Sequence, residues 1–204
     1  MKTRWINIFI MVALSATLIG CAGKIKYPTY YTLQVPPISD PPQQDRAAAS
    51  IAVREFRSAT YLREGPIVYR PSPEQIGFYE YHRWAVDPRE VVTNAIADRL
   101  RGDGRFTDVK IYDGHSNSDY ILTGRLEKLD EVDYEKGVKV EVALSAQLIE
   151  VRTGKTTWVN SVSDSSRVDE RSVPTVVAEM SHTMDRAIQK LLSSLPAPAT
   201  VARN

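Results

Sequence analysis

The chain is short of the residues that cross-link or catalyse. Its 204 residues contain one cysteine, Cys21, so no disulfide can close within it. A structural zinc site needs four ligands. The three histidines, His82, His115 and His182, lie far apart and show no H-x-x-H or H-E-x-x-H spacing. Any metal site would therefore have to be assembled by the fold from distant residues. No G-x-S-x-G elbow offers a serine nucleophile. Neither sign of charge dominates, with 26 basic and 25 acidic residues. That balance gives no electrostatic case for nucleic acid. Val151-Arg152-Thr153-Gly154-Lys155-Thr156 resembles the end of a phosphate-binding loop. The glycine required five residues before Gly154 is Ile149, however, and a hairpin turn is expected instead.

Long hydrophobic runs are missing too. The longest, Trp5–Gly20, has 16 residues, against roughly 20 for a membrane-spanning helix. It follows the positive start Met1-Lys2-Thr3-Arg4, and together they read as a secretory signal. The usual A-x-A cleavage pattern is replaced by Leu18-Ile19-Gly20-Cys21. On residue type alone, Cys21 is a free thiol, an intermolecular disulfide or a modified residue. The tetrapeptide resembles the lipobox of bacterial lipoproteins. That resemblance implies cleavage before Cys21, a thioether-linked diacylglycerol on its sulfur and an acylated new N-terminus. Ala22 in place of aspartate implies sorting to the outer membrane, facing the periplasm. The competing reading is a plain signal anchor with an incidental cysteine.

Cleavage after residue 20 leaves 184 residues, one ordinary domain with tethers. It removes two basic residues, Lys2 and Arg4, and no acid, leaving 24 against 25. Residues 21–49 form a lipid-anchored tether with a first strand at Tyr30–Val35 and a loop rich in proline. Residues 50–195 form the body, and 196–204 a polar tail expected to be disordered.

In the body, Ser50–Phe56, Ile67–Arg70, Ile76–Val86 and Phe106–Tyr112 read as strands. Asp87-Pro88-Arg89-Glu90 orders an N-cap, a first-turn proline and a capping glutamate. Val91, Val92, Ala95, Ile96 and Leu100 follow at helical spacing until Gly102 and Gly104. Valines and leucines at even positions from Val138 to Leu148 alternate with a more polar set, which predicts a half-buried strand. It is the centre of a three-strand meander over Tyr120–Arg167. Val173–Leu195 is a long amphipathic helix. The expected fold is α+β, a mostly antiparallel sheet with two helices packed on it as a two-layer sandwich.

The run "GFYEYHRWAVDPRE" carries aromatics on both faces. Strict alternation puts Phe78, Glu80, His82 and Trp84 on one side and Tyr79, Tyr81, Arg83 and Ala85 on the other. One reading is a central strand packed on both sides. The other is a partner-binding face formed by Tyr79, Tyr81 and Arg83, since tyrosine and arginine are enriched at binding hot spots.

Tyr30-Tyr31-Thr32-Leu33 after the lipobox, "IAVREF", "YLREGPIVYR", "YEYHRWAVDP" and "LRGDGRFTDV" occur in that order. Together they resemble the ABC-type transport auxiliary lipoproteins, the PqiC-like or YmbA-like family. The resemblance implies a non-enzymatic subunit with no cofactor and no metal. It implies an MCE-domain protein as partner, with an associated ABC permease and ATPase. It also implies a membrane held through the lipid anchor, and leaves room for a homo-oligomer. Such systems move lipids or other hydrophobic molecules between membranes. The alternatives are another envelope scaffold, for secretion or cell-wall regulation, and a periplasmic enzyme.

Overall fold

The computed structural model describes residues 26–36, 49–115, 117–135 and 137–198. The signal segment, Cys21, most of the proline-rich loop and the last six residues lie outside them. The described residues form nine strands and two α-helices: β1 (Thr29–Tyr31), β2 (Ser50–Val53), β3 (Arg57–Ser58), β4 (Pro66–Ser72), β5 (Gln75–Trp84), α1 (Pro88–Asp103), β6 (Asp108–Ile111), β7 (Tyr120–Tyr134), β8 (Gly137–Glu150), β9 (Thr156–Val168) and α2 (Val173–Ser193). A 3-10 helix, Thr60–Arg63, bridges β3 and β4. No helix among the described residues is long and apolar enough to cross a membrane.

The meander β7-β8-β9 is antiparallel throughout, as its alternation predicts. The other edge of β7 differs from expectation. β2, β3 and β4 pair with it in succession, all parallel. β6 is parallel to β2, and β1 to β5. The sheet is therefore mixed rather than mostly antiparallel, while the α+β class stands. Side-chain period reports which face a residue takes but not the direction of the neighbouring strand, so this feature leaves no trace in the alternation. The predicted strand Ser50–Phe56 is likewise split. It ends at Val53, and pairing resumes at Arg57.

The even positions of β8, Val138 to Leu148, are all buried, and α2 packs on this strand. On α2, Val176, Met180, Met184, Ile188 and Leu191 are fully enclosed. Burying each such side chain stabilises the fold by about 1.5–3 kcal/mol. α1 begins where Asp87 accepts from the Arg89 backbone N–H at 2.9 Å, and ends at Gly104 in the left-handed conformation. It lies beside α2, with Arg99 paired to Asp185. Among the described residues, the opposite face of the sheet carries no α-helix. The 3-10 helix covers part of it, over β4, where Leu62 and Val68 are buried.

Candidate interaction surface

β1 and β5 carry the aromatic run to the rim of the sheet. Their geometry depends on an irregularity in β5. Pro66 of β4 stands opposite Arg83, but Val68 stands opposite Phe78. Two residues on β4 thus span five on β5. A bulge of this kind shifts alternation from one side to the other. Directly paired residues share a face, as do residues two apart. Phe78, Tyr81 and Arg83 therefore fall on one side, the helix-free face. Tyr30, opposite Arg83, joins them. Tyr79, His82 and Trp84 fall on the other.

The predicted division thus changes at two residues. Phe78, expected in the core with Trp84, is 39% exposed, while Trp84 is only 7% exposed. Tyr79, expected on the partner-binding face, turns inward. It packs against the core, and its hydroxyl donates to Glu131 Oε2 at 2.7 Å. The cause is the same in both cases: strict period 2 does not survive the bulge. Tyr81 and Arg83 keep the expected face. Lys26 Nζ sits 4.4 Å above the Tyr81 ring. Arg83 Nη2 donates to the Glu64 carbonyl at 2.9 Å, which holds its guanidinium flat against Gly65. Tyr27 (77%) and Tyr30 (59%) are strongly exposed alongside. The outcome is a surface of aromatic rings and cations, of the composition found at binding hot spots.

Behind this surface lie two acids that the sequence reading did not single out. Asp130 and Glu131 of β7 are both fully buried, on opposite faces of the sheet. Asp130 accepts from Arg70 Nε at 2.5 Å. Glu131 accepts from Tyr79, and Arg171 Nη2 approaches its second oxygen at 3.3 Å. Burial raises both carboxyls above their ordinary range, although Arg70 acts against it at Asp130 and Tyr79 with Arg171 at Glu131. Burial, and then Glu131, likewise raise the Tyr79 hydroxyl. A signal for the site exists in the sequence. Leu126 and Leu129 are three apart in a strand, and a register shift between Leu126 and Lys128 makes both face inward.

The remaining candidates are dispersed. His82 lies 3.1 Å from the Tyr31 hydroxyl, while His115 and His182 are exposed elsewhere. Among the described residues, no group of three or more histidine, cysteine, aspartate or glutamate side chains is placed to hold a metal. Val151–Lys155 is the hairpin turn between β8 and β9, closed by Gly154 N–H donating to the Glu150 carbonyl at 2.9 Å. Cys21 lies outside the described residues.

A sequence profile described as the ABC-type transport auxiliary lipoprotein component matches residues 31–191. The chain belongs to this family. No match was found among curated protein sequences. Among solved structures, protein XCC0632 from Xanthomonas campestris superposes with a TM-score of 0.69 at 16% identity, covering 80% of this chain and 92% of that one. A PelC dodecamer from Paraburkholderia phytofirmans, carrying a single leucine-to-methionine substitution, gives 0.51 at 21% identity, covering 75% and 92%. At such identities these two show a shared fold. The family match is what places the chain among transport auxiliary lipoproteins.

Proposed function

We propose that the chain is a periplasm-facing, outer-membrane-anchored lipoprotein. In this reading it serves an MCE-domain protein, with its ABC permease and ATPase, in moving lipids or other hydrophobic molecules between membranes. It catalyses no reaction there and instead docks the partner. The observation that carries this reading is the family match over residues 31–191, immediately downstream of the lipobox-like Leu18–Cys21. The anchor is Cys21, carrying acyl chains. One chain alone binds a bilayer only marginally, so firm attachment rests on several.

Thr29, where β1 begins, is eight residues from Cys21. Fully extended, that stretch reaches about 25–30 Å. The rim formed by β1 and β5 is therefore tethered close to the bilayer. Tyr81 and Arg83, with Tyr30 and Phe78 on the same face, are the partner-binding residues in this reading. Tyr79 supports them from behind through Glu131. A homo-oligomer is part of the proposal, and PelC, which shares the fold, has been crystallised as a dodecamer.

The test is purification of the full-length lipidated chain from its own membranes in mild detergent. The MCE protein is expected to co-purify with it. Cys21→Ser should abolish palmitate labelling, leave the precursor unprocessed or soluble, and reduce capture. Normal processing and membrane attachment of Cys21→Ser would overturn the anchor. Absence of any MCE protein from the wild-type preparation would overturn the assignment.

A further inference from the structure

The interruption between β2 and β3 builds a second feature, on the helix-free face. Arg54 N–H donates to the Leu122 carbonyl at 2.8 Å, and the chain then leaves β7. Phe56 turns inward, its N–H donating to Thr93 Oγ1 at 3.0 Å. Pairing resumes where Arg57 stands opposite Arg125. The gap leaves an open depression of about 310 Å³, lined by Arg54, Arg57, Thr123, Arg125, Gln147 and Val159 among others.

Three arginines, Arg54, Arg57 and Arg125, line this depression, and Glu127 stands beside one of them. Arg125 Nε lies 3.3 Å from Glu127, whose other oxygen accepts from Ser145 Oγ at 2.7 Å. Among the described residues, Arg54 and Arg57 make no ion pair and no side-chain hydrogen bond. The Arg54 guanidinium is held over the Tyr112 ring at 4.5 Å, and its Nε is buried with no acceptor. A buried donor left unmatched is costly, and an incoming acceptor would relieve that cost. The planar guanidinium fork matches two oxygens of a carboxylate or phosphate. Thr123 and Gln147 add neutral donors. One wall is apolar, with Ile149 and a Val159 that is 67% exposed.

We propose that this depression binds a phosphate-class oxyanion, either free or as the headgroup of an anionic amphiphile. The apolar wall would lie along the first carbons of such an amphiphile. The proposal rests on the arginines and the cavity alone, and does not depend on the MCE assignment.

The test is calorimetric titration of the full-length lipidated chain in uncharged detergent. The probes are inorganic phosphate and water-soluble dihexanoyl phosphatidic acid, each at matched ionic strength. At least one probe should bind at a single site. Tighter binding of the phosphatidic acid identifies a headgroup site, and equal binding of both identifies a site for the phosphate group alone. Arg57→Gln with Arg125→Gln should weaken binding by roughly tenfold or more. Both side chains are exposed, so the melting temperature should not move. Gln147→Leu should weaken binding less. If neither probe binds at millimolar concentration, or if the double variant binds as the wild type does, the proposal is wrong.

Discussion

Tyr79 reaches over β4 to donate its hydroxyl proton to Glu131 of β7, at 2.7 Å. The bond ties the rim strand β5 to β7, the 15-residue strand beyond β4, and it satisfies one oxygen of a fully buried carboxylate. Tyr79→Phe keeps the ring and removes only the donor. A buried acceptor left without its partner costs about 1–3 kcal/mol. Urea melts of the two proteins should show that difference. Equal midpoints would mean that Arg171 alone suffices for Glu131.

The same carboxyl sets a pH dependence. Burial raises Glu131 above its ordinary range, so the folded state holds that proton more tightly than the unfolded one does. The stabilisation from such a group is complete below the unfolded pKa and is lost as pH rises through the folded pKa. Glu131→Gln removes this dependence. The stability of the variant relative to wild type should therefore rise between about pH 4 and pH 7. Asp130 is raised in the same direction. A relative stability that falls over that interval would mean that Tyr79 and Arg171 outweigh burial.

The bulge in β5 gives opposite expectations for two aromatics that strict alternation places together. Trp84→Ala empties a buried site and should cost about 3–5 kcal/mol. Phe78→Ala removes a half-solvated ring and should cost about 1 kcal/mol or less. Tyr81→Ala with Arg83→Ala should stay folded and weaken capture of the MCE partner. Melting curves and pull-downs on these variants separate the roles. An early-melting Phe78→Ala would return that residue to the core. A Tyr81/Arg83 variant that melts early would put both faces of β5 in the core and the interface elsewhere.

Legibility in the sequence followed the length of each periodic segment. β8 and α2 are long and regular, and each held its period from end to end. β7 and β5 are also long, but each contains an irregularity that reverses its faces, and a window that assumes one period averages across it. The parallel edge of β7 was illegible for another reason. It is assembled from three segments of two to seven residues, too short to show a period, and their order is set by contacts between distant parts of the chain. The surface residues Tyr81 and Arg83 were legible as residue types. Their neighbour Phe78 and the acids behind them depend on the bulges.

Gly124 marks a close approach of Phe56. A Cβ built there would stand 2.4 Å from the Phe56 ring and 2.5 Å from the Ser145 carbonyl oxygen. Gly124→Ala should therefore destabilise the protein by about 1–3 kcal/mol through overpacking. Since the ring is one of the two obstacles, Phe56→Leu in the same chain should recover part of that loss. The double variant should be more stable than the sum of the single effects predicts. Strict additivity in urea melts would mean that the Ser145 backbone, not the ring, sets the limit.

Met184 tests how α2 is docked. It is fully buried with Met180 and Ile188 on the face that covers the sheet, while His182, two residues away, is exposed. The other side of the helix is tied down through Arg186 and Lys190, which reach Asp164 of β9 at 2.9 and 3.1 Å. Met184→Asp places a carboxylate in the buried apolar cluster, at a cost of several kcal/mol, which is a large part of the stability of a domain this size. Met184→Leu nearly conserves volume and should cost less than about 1.5 kcal/mol. His182→Asp puts the same charge on the same helix but in water, and should leave the melting temperature almost unchanged. Circular dichroism melts of the three variants give the comparison. A Met184→Asp protein that melts like the wild type would mean that this face of α2 is not enclosed in the folded chain.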